Sequence, residues 1–390
     1  MLSEIKHYPV NWVDGMKISK KNFIELENFV NDFLRDSIAQ RTNEYNFGVL
    51  PSAKEIKAHE VFIHVDSQMV ISVKLTHCRA VTEGGHRIEI IGDTPLATRI
   101  AFGQIAEVYG LQNSKEYELY VTLSLNPLIK VPFGEALVEE VPPRYPYTKP
   151  QFRLSVIPRE LLHTSEYSSA HLIVGKLLYK NNDLRPIENY IPPCATVRAL
   201  PTLYEQYNYF ESLATNLENC CMKIIQKIKL KPEKKSHLSE NIRDLMDRLL
   251  FTIANEVTGY RLMLADEPPL KMINFFAKLA KVFRAYVNSL TSYDKEELLT
   301  YFAMWAEVQP LVIEEGMDGL IYMKYNHNEI GESLGRAQFI WQLMYTLLNK
   351  LTQLEYIGER RGKQVFVIEN PVHQEKKPIE PIKSKFNPLD

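Results

Sequence analysis

The sequence is poor in cysteine and has no excess of charge of either sign. Its four cysteines, Cys78, Cys194, Cys220 and Cys221, lack the dense, paired spacing of a disulfide-stabilised fold, so reduced thiols are expected. The 46 lysines and arginines nearly balance the 48 aspartates and glutamates, which leaves a formal net charge of −2. This balance excludes a global basic field of the kind that attracts nucleic acid or an anionic membrane.

Long apolar runs are also missing. No uncharged stretch approaches the roughly 20 apolar residues that span a bilayer, and the N-terminal MLSEIKHYPV lacks the basic segment and apolar run of a secretory signal. We therefore expect a cytoplasmic protein with no direct membrane insertion. A hydrophobic content of 45% and a charged content of 24% are typical of a folded protein, and 390 residues predict two or three domains.

The common motifs of catalysis are missing as well. The sequence contains no P-loop, dinucleotide fingerprint, HExxH or paired CxxC. Residues 331–335 match G-x-S-x-G, but an esterase elbow needs a buried strand directly before the serine, and the polar YNHNEI stands there instead. We interpret Ser333 as a residue that helps to start the following helix.

Histidine and cysteine also occur close together near residue 60, in His59, His64, His77 and Cys78. Adjacent residues of a strand point to opposite faces, so the side chains of His77 and Cys78 should diverge rather than bind one metal ion. The sequence therefore predicts no catalytic, cofactor-binding or metal-binding residues, and a non-enzymatic protein.

What is present is hydrophobic periodicity that changes along the chain. Phe23, Leu26, Val30 and Leu34 have the three-and-four spacing of an amphipathic helix. From Glu60 the period becomes two, in β-branched runs separated by turn sequences, which predicts an antiparallel β-sandwich. Within it, the interval 131–152 holds five prolines and is predicted to be a long extended loop.

A regular helical region follows residue 196. Positions a and d of a heptad repeat are apolar over more than three repeats, and four helices are predicted up to residue 309. The seam consists of Leu203, Tyr207, Phe210, Ala214, Leu217, Cys221, Ile224 and Ile228. Such a seam suits pairing with other copies of the chain, and packing within an intramolecular bundle is the alternative.

The last 80 residues have a different pattern. GLIYMKY, 319–325, is predicted to be a strand, GRAQFIWQLMYTLLNKL an apolar helix, and the segment around 361–363 the turn of a hairpin. Helix and hairpin together have the outline of a winged helix. The helix is nearly all apolar, however, whereas a DNA-reading helix carries polar and basic residues, so we expect it to be core or interface.

The opening stretch resembles a known family. Trp12-x-x-Gly15-Met16, followed by Ile18 and Phe23, resembles the N-terminal signature W-x-x-G-M-x-L-x-x-x-H-F of the TssK family, baseplate proteins of type VI secretion systems. Further points match in the same order: the pair 47–48, the turn 83–85, and the segment YIPPCATVRA before the helices. The chain departs from the signature at Asn22, where the family has histidine, and its C-terminal region is short.

The resemblance implies an α+β multidomain fold. Residues 1–44 would form an N-terminal arm and helix, 45–195 a β-sandwich shoulder, 196–309 a helical-bundle neck, 310–370 a small α/β C-terminal head, and 371–390 a flexible tail. Trp12, Gly15, Met16 and Phe23 would then dock on the baseplate or anchor the shoulder, and the heptad seam would form a trimer neck. The polar KISKKN after Trp12 offers this side chain no local partner, so a distant one is expected.

The function implied by the resemblance is that of a non-enzymatic homotrimeric adaptor of the baseplate. Its partners would be the baseplate proteins TssF and TssG and, through the head, a membrane-anchoring complex at the inner-membrane face; no nucleic acid and no cofactor are expected. The alternative is a nucleic-acid-binding or regulatory protein that uses the C-terminal helix and hairpin. An enzyme with an unrecognised site is a third hypothesis.

Overall fold

A single long helix precedes the sheets, as the spacing of its apolar residues predicts. In the computed structural model, which describes residues 5–52, 57–92, 95–112, 114–164, 170–234 and 236–358, this helix, α1, spans Lys20–Ala39. The side chain of Asn22 accepts a hydrogen bond from the backbone N–H of Ser19, at 2.9 Å. This contact caps the first turn, so the residue that departs from the family signature has a structural role here.

The predicted antiparallel β region is confirmed. Its elements are β1 (Gly48–Val49), β2 (His59–Val65), β3 (Val70–Val81), β4 (Arg87–Ile90), β5 (Leu96–Ala101), α2 (Phe102–Tyr109), β6 (Tyr117–Phe133), β7 (Tyr147–Pro158), β8 (His171–Lys180) and β9 (Asp183–Pro186). Strands β1, β2, β4 and β5 all pair with β3 in one antiparallel sheet, and the second has the order β7-β6-β8-β9. Alternate residues of β3 and β6, such as Val73 and Val121, share one buried core, so the sheets form a sandwich.

The proline-rich interval is only partly a loop. The β6–β7 ladder continues past an irregularity between Asn126 and Lys130, from the pair Lys130↔Pro150 to the pair Phe133↔Tyr147. The prediction of a loop from 131 to 152 was wrong at both of its ends. Strand β7 is the outer strand of its sheet, and Pro150 lies next to the irregularity in the ladder; both are positions at which a strand tolerates proline.

Six helices make up the rest of the described chain. They are α3 (Pro201–Leu230), α4 (His237–Met263), α5 (Pro269–Ser289), α6 (Ser292–Ala306), α7 (Pro310–Ile321) and α8 (Ile330–Gln353). The four helices predicted before residue 309 are therefore present. All six helices contribute to one hydrophobic core, which is separate from that of the sandwich. None of the helices in the described ranges is long and apolar enough to cross a bilayer.

The predicted small α/β head is not seen in the described part of the chain. Residues 319–325, predicted to be a strand, instead complete α7 and begin the loop that follows it. Ile313, Met317 and Leu320 pack into the same core as α3, because their three-and-four spacing makes one helical stripe. Helices α7 and α8 thus belong to the helical domain, and the predicted hairpin turn at 361–363 and the tail 371–390 lie outside the described residues.

Candidate interaction surface

The arm before α1 folds back along the helix. The backbone N–H groups of Lys6 and His7 lie 3.4 and 3.3 Å from Oδ2 of Asp32, on the second half of α1. A turn follows Val13, whose carbonyl accepts a hydrogen bond from the N–H of Met16 at 3.1 Å. Its third residue, Gly15, has φ +79°, a conformation that favours glycine.

The partner of Trp12 is local, which corrects the expectation of a distant one. Its ring centroid lies 6.5 Å from that of Phe23, which comes directly after the polar KISKKN at the first turn of α1. Both rings remain about half exposed. Trp12 and Phe23 therefore meet at one end of α1, and Val13 and Ile18, in the segment that joins them, are exposed as well. We call Trp12, Val13, Ile18 and Phe23 the arm surface.

Helix α1 itself buries none of its residues. Its apolar stripe faces a groove of about 680 Å³, whose other wall is the edge of the sandwich at Leu125, Pro127 and Pro150. Leu26, Val30, Leu34 and Ile38 line the helical wall. We call this space the α1 groove.

Two contacts hold α1 beside the sandwich. Glu27 forms an ion pair with Lys130 of β6. Near the other end of the helix, Gly85 adopts φ +82°, and a Cβ there would lie 3.0 Å from the carbonyl oxygen of Arg35. The turn 83–85, one of the points of family resemblance, is therefore one of the two places where the sandwich is seen to contact α1.

Two other points of resemblance meet each other. Strand β1 runs along the segment before the helices: the N–H of Val49 donates to Pro193 O at 2.7 Å, and the N–H of Ala195 donates to Val49 O at 2.9 Å. Gly48 has φ +109°, and a Cβ there would lie 2.0 Å from Pro193 O, so only glycine fits. The pair 47–48 and the segment 190–199, about 145 residues apart, thus form one joint between the domains.

A buried ionic cluster forms a second joint. Nζ of Lys176, on β8, lies 2.8 Å from Glu329 Oε1, just before α8, and 3.0 Å from Glu118 Oε1 on β6. Tyr120 also donates to Glu329. Lys176 and Glu329 are only 4% and 5% exposed. Burial alone would lower the pKa of Lys176, but the hydrogen bonds that its ammonium group donates to Glu329 and Glu118 outweigh burial and raise that pKa, so the lysine stays charged.

The same cluster brings three carboxylates together. Oxygens of Glu118, Glu329 and Glu332 lie within 4.8 Å of one another, close enough to share a cation. Arg159 contacts Glu118 and lies 3.3 Å from Glu332, and Lys176 contacts all three carboxylates. Two of the three carboxylate charges are thus balanced by the protein's own cations, Arg159 and Lys176, which fits a structural joint. The sequence already contains a sign of this buried cluster, because Lys176 interrupts the apolar strand HLIVGKLLY.

No family model matches the chain, and no curated protein matches it in sequence. Several solved structures do match the chain. The chain is similar to TssK.

One crystal structure of TssK aligns with 87% of this chain and 69% of its own, at 14% identity and a TM-score of 0.44. The baseplate complex of the type VI secretion system contains a chain aligned over 89% of this chain and all of its own, at 13% identity and a TM-score of 0.44. TssK of EAEC bound to a nanobody aligns over 82% and 95%, at 14% identity and a TM-score of 0.41.

The predicted trimer seam lies inside the chain. All eight of its residues are buried, within the core that α3 shares with α4 and α8. The hydroxyls of Tyr207 and Tyr260 donate to each other's backbone carbonyls at 3.2 Å, and the Phe210 ring lies 4.8 Å from that of Phe276. The seam therefore packs within an intramolecular bundle, which was the alternative prediction. A stripe fully covered by its own chain offers no surface to another copy. Leu203, Tyr207, Phe210, Ala214, Leu217, Cys221, Ile224 and Ile228 are thus removed from the candidate trimer contacts.

The remaining candidates are packing residues. Ser333 lies one turn inside α8 and is buried, so the helix starts three residues earlier than expected and no strand leads into the serine. Cys78 is in the sandwich core, while the adjacent His77 lies beside Glu60, so the two diverge as predicted. Trp341 of α8 donates to Phe276 O at 3.1 Å within the helical core, which does not favour α8 as a nucleic-acid-reading helix.

Proposed function

We propose that this protein is a non-enzymatic structural component of a type VI secretion baseplate, acting as a trimeric adaptor between the baseplate wedge and its membrane anchor. The observation that carries the proposal is the arm surface, where the signature residues Trp12 and Phe23 lie against each other at one end of α1 and stay about half exposed. Its partners would be baseplate proteins of the TssF and TssG type.

An exposed aromatic cluster of this kind is suited to docking. Trp and Phe side chains bury large apolar areas, and they are enriched in the central, desolvated part of protein interfaces. In the described part of the arm, the contacts to its own chain include the Trp12–Phe23 pair and the hydrogen bonds from Lys6 and His7 to Asp32. A segment held so lightly can adjust to a partner at low cost to the fold.

The contacts that the sandwich makes with the rest of the chain also support this proposal. The family motifs outside the arm are short, and any one of them has little meaning in isolation. Gly48 touches Pro193 and Gly85 touches α1, so the motifs occupy the places where the sandwich meets the rest of the chain. Their order therefore has a structural reason in this chain.

Deletion of residues 1–18 tests the docking role. The truncated and full-length chains would each be co-expressed with the TssF- and TssG-type proteins of the same organism and purified through a tag on the partner. We expect the truncated chain to fold and to lose co-purification. A point variant, Trp12→Ala, should weaken capture by at least tenfold, whereas Leu262→Ala, a change at an exposed apolar residue of α4, should leave capture unchanged.

Two outcomes would count against the proposal. A truncated chain that keeps both its partners and its melting temperature would show that the arm is neither an interface nor a brace for the sandwich. Loss of stability with retained partners would assign the arm to anchoring the sandwich.

A further inference from the structure

The hairpin between β6 and β7 ends in a tip whose side chains remain almost entirely exposed. We define the tip as residues 133–147, and all of them are exposed except the partly buried Glu140 and Pro146. Val138 and Val141 are 78% and 97% exposed. The other large apolar side chains exposed in the tip are Phe133, Leu137, Tyr145 and Tyr147. Exposed apolar patches of this kind mark sites of association.

The backbone of the tip is nevertheless held in one shape. The N–H of Leu137 donates to Arg144 O at 2.8 Å, and the guanidinium of Arg144 forms an ion pair with Glu140. Gly134 has φ +101°, and a Cβ there would lie 3.2 Å from Cγ of Pro146, so the two sides of the tip are close together. A binding element that is already formed loses little conformational entropy when it binds.

The tip has a negative charge that it does not neutralise itself. Glu140 is paired with Arg144, whereas Glu135 and Glu139 have no cationic partner in the described part of the chain. Three glutamates against one arginine give residues 133–147 a formal charge of −2. Any partner of the tip therefore has to accept both apolar side chains and carboxylates.

The sign of this charge decides the class of the partner. Nucleic acids and anionic bilayers repel carboxylates, and apolar elements that bind such bilayers carry lysine or arginine beside their apolar residues. A protein surface remains. Its chemistry is the complement of the tip, namely an apolar hollow with lysine or arginine at its edge.

Another copy of this chain does not present that chemistry in its α1 groove. The groove is apolar, but three of its four lysines and arginines are already paired with carboxylates of the same chain. These ion pairs are Arg35 with Asp32 and Asp36, Arg87 with Glu89, and Lys130 with Glu27. The fourth cation, Lys149, lies over the Phe133 ring, 4.8 Å from its centroid. A different protein is therefore the better match for the tip.

The tip and the arm surface start from the same part of the molecule. Glu27, one turn after Phe23 on α1, forms an ion pair with Lys130 of β6. Phe133, the first residue of the tip, is three residues further along β6, roughly 10 Å at strand spacing. A protein interface of standard size buries about 800 Å² of each partner, which is wide enough to include both surfaces.

We propose that the tip inserts into an apolar hollow with a basic edge on the same baseplate protein that the arm surface contacts. In this contact Val138 and Val141 fill the hollow, and Glu135 and Glu139 pair with the cations at its edge. The inference rests on the proposed function, which supplies the partner. It adds a second binding element and the chemistry of the surface that receives it.

Two matched variants test the apolar part of the contact. Val138→Ser removes apolar surface from the tip, and Val108→Ser removes it from α2, where the valine is 73% exposed. Neither valine is buried, so both chains should keep the wild-type melting temperature. Binding is measured by biolayer interferometry on the immobilised complex of the TssF- and TssG-type proteins from the same organism. We expect Val138→Ser to weaken binding at least tenfold and Val108→Ser to bind like the wild type.

The charges are tested by the dependence of binding on salt. The double variant Glu135→Gln/Glu139→Gln keeps the shape of the tip and removes its free carboxylates. Between about 50 mM and about 300 mM NaCl, we expect its affinity to fall less than that of the wild type, because fewer ion pairs are left to be screened. Asp247→Asn/Glu315→Gln removes two exposed carboxylates of the helical domain and should keep the wild-type salt dependence.

The outcomes separate this inference from the proposed function. If Val138→Ser and the double glutamine variant bind like the wild type while Trp12→Ala binds weakly, the arm surface alone is the docking site and the inference is overturned. An unchanged salt dependence of the double glutamine variant would overturn the basic edge of the hollow. A wild-type chain that does not bind the complex at all would contradict both the inference and the proposed function.

Discussion

His327 joins the two domains through both of its ring nitrogens. Nε2 lies 2.9 Å from the carbonyl oxygen of Phe47, to which it donates, and Nδ1 lies 2.7 Å from the hydroxyl of Tyr325, which can donate to it. This pairing needs a neutral ring with its proton on Nε2. Burial lowers the pKa of His327 to about 4, against the smaller opposing effect of the Phe47 and Cys194 backbone groups.

The histidine should make stability depend on pH. In the unfolded chain its pKa is near 6.5, so between pH 6.5 and about 4 the unfolded chain binds a proton that the folded chain does not. Its contribution is therefore complete above pH 6.5 and is lost as the pH falls towards 4. We expect the free energy of unfolding to drop by about 2 kcal/mol more between pH 7 and pH 5 in the wild type than in His327→Gln.

Urea titrations at the two pH values measure this difference. The same substitution at the exposed His64 of β2 is the control and should keep the wild-type pH dependence. Equal slopes for the wild type and His327→Gln would mean that His327 titrates normally in the folded chain, and the joint at Phe47 would have to be reconsidered.

At the scale of elements, α3 shows what a heptad repeat can and cannot determine. The spacing from Leu203 to Ile228 correctly predicts a helix with one apolar stripe, and α3 runs from Pro201 to Leu230. The spacing does not identify what covers the stripe, because packing against α4 and α8 satisfies the same residues as another copy would. Only the tertiary structure distinguishes a stripe covered by its own chain from a stripe covered by another copy.

A charge in this stripe should therefore unfold the helical domain. Leu217 is fully buried, and in Leu217→Asp a carboxylate would be left without a partner in an apolar core, at a cost of about 4 kcal/mol or more. Circular dichroism during thermal unfolding should show a large loss of helix stability. Asn216→Asp, at the exposed neighbouring position, is the control and should change little. A Leu217→Asp chain that keeps wild-type stability and only dissociates would restore the intermolecular interpretation.

Other elements show which local signals are reliable. The period-two runs near β2 and β3 predicted an antiparallel sheet, and the sandwich is present, because alternation and turn residues agree there. Residues 319–325 were predicted wrongly because Ile321, Tyr322 and Tyr325 favour strands locally, while Leu320 belongs to a helical stripe that begins at Ile313. The candidate interaction surface shows the same limit. The sequence predicted Trp12 and Phe23 as part of it, but the α1 groove also depends on Leu125 and Pro150, which are far from α1 in the sequence.

At the scale of the whole molecule, the two large cores are joined by polar contacts and by Val49 and Ala58 of the sandwich region, which pack into the helical core. The sandwich and the helical domain meet at Gly48 and Pro193, at His327, and at the cluster of Lys176 and Glu329. A buried ion pair adds little net stability over an apolar pair, yet removal of one partner leaves the other charge buried. The cluster is therefore suited to fixing the angle between the domains rather than to strengthening either core.

The domains should consequently unfold together only while the cluster is intact. Glu329→Ala leaves Lys176 with only the partly exposed Glu118 and Glu332, and we expect it to cost about 3 kcal/mol and to split one calorimetric transition into two. Glu332→Ala, in the next turn and 45% exposed, is the matched control; its loss should stay below about 1 kcal/mol, with a single transition. The double variant Lys176→Met/Glu329→Leu should recover part of the lost stability, because neither member of the ion pair then remains as an unpaired buried charge. Two transitions in the wild type, or identical traces for the two single variants, would show that the cores are independent of this cluster, and the joint at Gly48 would then be the one that sets the arrangement of the domains.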